Sequence, residues 1–234
     1  MRRVSFLLLA LLLASETALG GEMEDDPLLA MLLLNKFEVR VTDSDTPLVW
    51  DAEAWVGKDL NKLWMRADGW YGDGQVGDME LQLLYSRAIS PFWDLQAGWR
   101  GDIRPEPERN WLTLGVQGLS PYYFDVEFFV FVGENGRTAL RVKLEYEFML
   151  TQRLVLTPEV EVNLYGKDDP ALGIGSGLSE SEVGLRLRYE IRREFAPYVG
   201  VNWTRSYGDT ADYSQMDGDS ADDVQLVLGL RTWF

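Results

Sequence analysis

The stretch RTALRVKLEYEFMLTQRLVLTPEVEVNLYG, residues 137–166, alternates between apolar and charged side chains almost without interruption. In its first half, leucine, valine and aromatic residues occupy one set of alternate positions, and Arg141, Lys143, Glu145 and Glu147 occupy the other. A period of two residues is the signature of a β-strand, because successive side chains of an extended chain point to opposite sides of the sheet. The chain is therefore expected to be all-β, with two sheet faces of opposite character.

This alternation is compatible with two architectures. In a soluble β-sandwich the apolar face points into a core, whereas in a transmembrane barrel it faces lipid and the charged face lines the lumen. About twelve segments of the length that a tilted membrane strand requires follow the same pattern along the chain. The period alone leaves both architectures open.

The lengths of the connections favour the barrel. Long acidic or glycine-rich loops, such as residues 165–179, alternate with tight turns such as residues 89–92. Outer-membrane barrels have short periplasmic turns and longer external loops, and an even number of strands places both termini in the periplasm. We therefore predict a transmembrane antiparallel up-and-down β-barrel of about twelve strands in the outer membrane of a Gram-negative bacterium, in contact with its lipid.

Two further patterns agree with lipid outside the barrel. Aromatic residues gather toward strand ends on the apolar face, and the chain closes on Phe234, an aromatic residue that resembles the signal read by the outer-membrane assembly machinery. Glycines interrupt the charged face, which is expected where an enclosed lumen limits side-chain volume: Gly98, Gly115, Gly184, Gly200 and Gly229.

The N-terminal sequence predicts export. Residues 1–20 combine Arg2 and Arg3, an apolar run, and a small-x-small site at Ala18 and Gly20, the features of a cleaved signal peptide. Residues 21–34 are then expected to form a short periplasmic leader, and residues 35–234 the outer-membrane barrel.

The composition narrows the classes of function. The net charge of -16 opposes binding to nucleic acid and favours cations. The chain has no cysteine and no histidine. Enzymatic activity is not expected, because histidine is the side chain whose unperturbed pKa suits a general base near neutral pH.

The charged face of the strands predicts a network inside the lumen. Arginine and glutamate on neighbouring strands can pair there, and the alternative is a charged lining for transport. A barrel of twelve strands lies between small barrels filled by side chains and large barrels with an aqueous pore. The candidate lumen residues are Arg141, Lys143, Glu145, Glu147, Glu159, Glu161, Arg186, Arg188 and Glu190.

Several stretches resemble one known family in their residues as well as in their alternation. GVQGLSPY at residues 115–122 and LRYEIRREFAPYVGV at residues 187–201 are the most specific, and the resemblance extends over residues 25–234. The sequence is similar to the copper resistance protein B family of Gram-negative outer membranes. The resemblance implies a barrel that sequesters copper or assists its export from the periplasm, alongside a periplasmic copper oxidase or copper carrier.

Family members typically carry a Met- and His-rich stretch between signal peptide and barrel, and the corresponding segment here is GEMEDDPLLAM. Its candidate copper ligands are Met23, Asp25, Asp26 and Met31, because Cu(I) prefers thioether sulfur and Cu(II) accepts carboxylate oxygen. The alternative is a general structural or pore-type outer-membrane barrel that has lost specific copper binding.

Overall fold

A computed structural model describes residues 26–42, 46–72, 74–218 and 220–234. Within these ranges the chain forms thirteen β-strands, one α-helix and short 3-10 turns. The elements are β1 Leu29–Val41, β2 Leu48–Gly57, β3 Asn61–Gly72, β4 Gln75–Ser90, β5 Trp93–Arg104, β6 Arg109–Leu119, β7 Asp125–Gly133, β8 Thr138–Glu145, β9 Phe148–Met149, β10 Leu154–Tyr165, β11 Gly177–Tyr189, β12 Phe195–Ser206, α1 Gly208–Asp217 and β13 Asp222–Trp233.

The strands form one closed antiparallel sheet. Neighbours in the sequence pair along the chain, and β1 pairs with β13 to close the circle. The short strand β9 pairs with β10, as β8 does, so β8 and β9 are two pieces of one strand interrupted at Tyr146 and Glu147. The structure is thus a twelve-stranded barrel, and the predicted fold class is confirmed.

The two ends of the barrel differ in their connections. At one end, here called the long-loop end, lie the connections that follow β1, β3, β5, β7, β10 and β12, and the longest are residues 166–176 and the connection that contains α1. At the other, here called the short-turn end, lie the turns 58–60, 91–92, 120–124, 150–153 and 190–194. Strand β1 begins and β13 ends at the short-turn end, where the backbones of Leu32 and Phe234 exchange hydrogen bonds of 3.0 and 2.8 Å.

The distribution of side chains is the reverse of that in a soluble domain. Large apolar residues cover the outer wall, and Leu112 and Leu226 are exposed by 71% and 63%. In the strand that opened the sequence analysis, Leu144 is exposed by 39%, whereas the side chains of Arg141 and Lys143 on the opposite face are largely buried. An apolar exterior around a charged lumen is the arrangement of a barrel that faces lipid.

No helix in the described part of the chain combines the length and the apolar character needed to cross a membrane.

The first strand begins at Leu29 and not at residue 35, where we placed the start of the barrel. The run LLAMLLL lacks the alternation that marks a strand, because both faces of β1 are apolar there. A bulge at Asn35 then reverses the face, since Leu34 is opposite Ala52 and Lys36 is opposite Asp51. The predicted signal peptide and residues 21–25 lie outside the described residues.

Candidate functional site

The lumen is the candidate site, and Glu38 of β1 organises its first charged group. Glu38 has no exposed surface and accepts hydrogen bonds from Nε and Nη2 of Arg186, both at 2.9 Å, and from Nε of Arg40 and the hydroxyl of Tyr198, both at 2.8 Å. A Cβ at Gly229 would lie 2.5 Å from Cζ of Tyr198 and 2.7 Å from Cβ of Glu38. A buried carboxylate must be fully paired to offset its lost hydration, and the glycine leaves room for the partners.

Glu159 of β10 organises a second group that crosses the lumen. Nζ of Lys36, on the non-adjacent strand β1, donates a hydrogen bond of 2.5 Å to Glu159 Oε1. Lys143 Nζ lies 3.6 Å from the other carboxylate oxygen, and Arg186 Nη1 lies 3.7 Å from Oε1. Lys36 also lies 3.6 Å from Glu182. These contacts tie β1 to β8, β10 and β11 through the interior.

Glu80 of β4 organises a third group on the other side of the lumen. It receives two hydrogen bonds of 3.0 and 2.9 Å from Arg141 of β8, and Arg100 Nη2 lies 2.8 Å away. Two parallel bonds from one guanidinium to one carboxylate form the stronger, bidentate geometry. Arg141 Nε also lies 3.3 Å from Glu161, so one arginine joins β4 to β10.

The remaining candidate charges lie at the short-turn end. Arg188 donates to Glu147 at 2.7 Å and lies 3.5 Å from Glu190. Arg231 donates to the same Glu147 oxygen at 2.9 Å and lies 3.8 Å from Glu145. All nine residues of the predicted network are therefore in ion pairs, but most of the short contacts reach beyond the neighbouring strand that we expected.

A cluster of inward-facing aromatic residues, which the predicted charged lumen does not include, occupies part of the interior. Phe129 and Phe131 are 1% exposed, and they form one cluster with Trp64, Leu84, Trp111 and Ala139. The guanidinium carbon of Arg66 lies 5.1 Å from the ring centroid of Phe129, and that of Arg100 lies 4.5 Å from the ring of Phe131. Cations placed over aromatic faces are stabilised by the ring quadrupole, which adds to the ion pairs of Arg66 with Glu127 and of Arg100 with Glu80.

A recess opens among the charged groups near the short-turn end. Its lining includes Lys36, Thr157, Arg186 and Arg231, and its volume is about 30 Å³. This volume accommodates roughly two water molecules. The cross-lumen ion pairs and the aromatic cluster occupy much of the interior that the described residues enclose.

The predicted copper ligands are only partly within the described chain. Met23 and Asp25 lie outside it. Asp26 accepts a hydrogen bond of 3.1 Å from the backbone nitrogen of Asp59, and Lys58 Nζ lies 3.7 Å away. Met31 of β1 is opposite Trp55 of β2, and Trp55 packs against the buried aromatic cluster, so Met31 lies on the lumen face. Among the described residues, no group of three or more His, Cys, Asp or Glu side chains is arranged to hold a metal ion.

An ion-pair group also joins the loops at the long-loop end. Asp169 accepts hydrogen bonds of 2.8 and 3.0 Å from Arg109, and Nε of Arg137 lies 3.1 Å away. The hydrogen bond from Arg109 is the main cause that lowers the pKa of Asp169, and burial opposes it. The group therefore connects the loop 166–176 to the start of β6 and to the segment before β8.

The charged residues of this lumen that were absent from the predicted network include Lys36, Glu38, Arg66, Glu80 and Arg100. Each occupies an inward position of a strand that obeys the same alternation, so applying the period-two analysis to β1, β3, β4 and β5 would have found them. Their partners could not have been found in this way, because a contact across the lumen depends on how the whole barrel closes.

Solved structures of low sequence similarity share this fold. The NanC porin in a rhombohedral crystal form superimposes with a TM-score of 0.55 at 9% identity, over 87% of this chain and 99% of that one. At this identity the likeness concerns the fold alone.

The sequence comparisons are much closer. The family model described as copper resistance protein B precursor matches residues 28–234. Copper resistance protein B of Escherichia coli is 42% identical over 215 residues, covering 92% of this chain and 73% of that protein. A copper resistance protein B homolog of Pseudomonas syringae pv. tomato is 43% identical over the same shares of both chains. The chain therefore belongs to the copper resistance protein B family and is an outer-membrane β-barrel, as its sequence predicted.

Proposed function

We propose that this barrel supports copper resistance by sequestering copper or by assisting its export from the periplasm. The observation that carries the proposal is the 42% and 43% identity to two copper resistance proteins B over 92% of the chain. The cargo is a copper ion. We propose no enzymatic step, because the chain has no histidine to serve as a general base near neutral pH.

The proposed orientation places the short-turn end and both termini in the periplasm. It is supported by the even number of strands and by the general rule that periplasmic turns are short. A periplasmic copper oxidase or copper carrier would then meet the mouth formed by Glu147, Arg188 and Arg231.

The ion pairs across the lumen favour retention or gated passage over a steady aqueous pore. Ion pairs such as Lys36–Glu159 and Arg141–Glu80 cross the interior, so an ion could pass only after they rearrange. Copper would first meet the segment that contains Met23, Asp25, Asp26 and Met31, in which carboxylate oxygens suit Cu(II) and the thioethers suit Cu(I).

Copper content provides the test. In a Gram-negative host that lacks its own homologue, periplasmic copper is measured under copper stress with this gene or with an empty vector. We expect the gene to change periplasmic copper and to improve survival. Unchanged copper with the protein confirmed in the outer membrane would refute the proposal.

A matched pair of variants locates the site. Met31→Leu removes the thioether on the lumen face, and Met65→Leu removes a thioether that is 47% exposed on the outer wall. If Met31 contacts copper, only the first variant should weaken resistance. Equal resistance of the two variants would exclude Met31 as a ligand.

A general structural or pore-type barrel is the second candidate. It is favoured by one observation: the described residues hold no cluster of three His, Cys, Asp or Glu side chains fit for a metal. Planar bilayer recordings test the pore-type barrel: a steady conductance would indicate a pore, whereas the ion pairs across the lumen lead us to expect none.

A further inference from the structure

Every turn at the short-turn end presents a large apolar residue to its surroundings. These residues, here called the apolar collar, are exposed by 53% to 83% and come one from each turn: Leu60, Phe92, Tyr122, Leu150 and Ile191. In the described part of the connections at the long-loop end, Met216 is the one large apolar residue of comparable exposure. The apolar surface of the connections therefore belongs to one end of the barrel.

The collar is continuous with the lipid-facing wall. Phe124 and Phe148 are exposed on the outer wall beside two of the turns. The ring centroid of Phe124 lies 4.9 Å from that of Tyr146, which lies 4.3 Å from that of Phe148. Aromatic side chains thus join the turn 120–124 to the strand that leads into the turn 150–153, and lipid in contact with the wall reaches the turns as well.

The turn 120–124 keeps its tyrosines at a cost in backbone energy. Tyr122 and Tyr123 have φ angles of 70° and 66°, in the left-handed region that glycine adopts freely and bulky residues avoid. Both side chains are exposed, so packing within the barrel does not account for tyrosine at these two positions. A contact outside the protein would account for it.

The circular arrangement of the collar indicates what makes this contact. The five turns follow one another around the whole barrel. A water-soluble partner would cover one sector of this circle, whereas a bilayer surrounds the barrel and meets all five turns. Aliphatic side chains together with the amphipathic ring of tyrosine suit the boundary between acyl chains and headgroups.

The charged residues of the same turns are compatible with this position. The exposed cations are Lys58, Arg153, Arg192 and Arg193, whose long aliphatic stems can lie along apolar surface while their charged ends reach lipid phosphates. Their exposed acids, Asp59 and Glu194, are fewer and shorter.

We propose that the apolar collar is immersed in the boundary between headgroups and acyl chains of the leaflet at the short-turn end, with phospholipid as its partner. The mouth formed by Glu147, Arg188 and Arg231 then opens at the level of the headgroups, so a water-soluble protein reaches it only at the membrane surface. The proposal does not depend on the copper function.

Fluorescent labels on the full-length protein in phosphatidylcholine vesicles test the collar. The chain has no cysteine, so a single introduced cysteine carries the only label. Tyr122→Cys and Met216→Cys form a matched pair, because the two residues are exposed by 83% and 80% at opposite ends of the barrel. Phosphatidylcholine with a spin label near the start of its acyl chain is the quencher in lipid, and iodide is the quencher in water.

We expect the label at residue 122 to emit at shorter wavelength and to be quenched by the spin-labelled lipid. The label at residue 216 should be quenched by iodide alone. Because the spin-labelled lipid is present in both leaflets, the result does not depend on which way the barrel inserts.

Two further positions test whether the contact surrounds the barrel. The turns of Leu60, Tyr122 and Ile191 are each four strands apart around the closed sheet. Leu60→Cys and Ile191→Cys should therefore give the same lipid quenching as Tyr122→Cys. If one of these variants does not fold, Phe92→Cys or Leu150→Cys takes its place.

Quenching of the turn labels by iodide and not by lipid would overturn the proposal and leave a water-soluble partner as the occupant. Lipid quenching at one of the three turns, with iodide quenching at the other two, would overturn it as well, because a bilayer meets the whole circle.

Discussion

Replacing Glu38 by glutamine tests whether the buried ion pairs hold the barrel together. Of the two carboxylate oxygens, Oε1 accepts from Arg186 Nη2 and Arg40 Nε, and Oε2 accepts from Arg186 Nε and the Tyr198 hydroxyl. Glutamine keeps one acceptor oxygen and has an amide donor in place of the other. If the amide replaces Oε2, Arg186 Nε and the Tyr198 hydroxyl face a donor. Arg186 and Arg40 also lose the negative charge that they share.

The expected cost follows from these contacts. Two charge-assisted hydrogen bonds at the replaced oxygen are lost at about 1.5–3 kcal/mol each, and rotation of the tyrosine hydroxyl recovers part of this. After the change, Arg186 has Glu159 at 3.7 Å as its next carboxylate, whereas Arg40 keeps Glu182 at 2.9 Å. We therefore expect the free energy of unfolding to fall by about 3–5 kcal/mol, the range for breaking one side of a buried ion pair.

Equilibrium unfolding in urea, with the protein in lipid vesicles and followed by tryptophan fluorescence, measures this loss. Glu145→Gln is the matched control, since its carboxylate is partly exposed and, among the described residues, has one ion-pair contact, at 3.8 Å to Arg231. The control should change stability by less than about 1 kcal/mol. A difference of less than about 1 kcal/mol between the two variants would show that the Glu38 group does not stabilise the fold as argued.

Three further predictions concern the wall, the packing of the lumen and the loops. Leu144→Arg should cost about 2–4 kcal/mol if the residue faces the bilayer midplane, and an unchanged yield of heat-modifiable protein in the outer membrane would contradict its placement on the lipid face. Gly229→Ala should cost about 1–3 kcal/mol in the same urea assay, because its new methyl group would lie 2.5 Å from Tyr198; a neutral result would mean that the tyrosine moves without cost. The pKa of Asp169 is lowered by Arg109, so its contribution is present above the ordinary pKa of an aspartate and is lost as pH falls through the lowered value. Limited proteolysis of the long loops should therefore accelerate as pH falls through the lowered pKa of Asp169, and Asp169→Asn should abolish that dependence.

The local pattern of the sequence was sufficient to predict the strands that form the wall of the barrel. Most strands follow a period of two, and in these strands the residues that face lipid or lumen follow from that period together with the lengths of the connections. The number of strands could be predicted because a turn or loop separates each strand from the next in the sequence.

The contacts inside the lumen could not be predicted as well from the sequence, and particular residues show the physical reasons. Phe129 and Phe131 interrupt the rule that inward residues are polar, and they are buried in an apolar cluster with Arg66 and Arg100 over their rings. The bulge at Asn35 shifts the face of every residue that precedes it in β1, since a register change of one residue reverses the sheet face. Arg186, which donates two hydrogen bonds to Glu38, is 148 residues away from it in sequence, and only the closure of the barrel brings the two together.

The seam between β1 and β13 has a consequence for assembly. The backbone hydrogen bonds between Leu32 and Phe234 join segments from opposite ends of the described chain, and such contacts are among the slowest to form because the intervening loop is so long. Until they form, both strands are open sheet edges that can pair with any other extended chain. The stage most vulnerable to aggregation is therefore the nearly complete barrel, with ten strands already paired on both sides and two edges still unjoined.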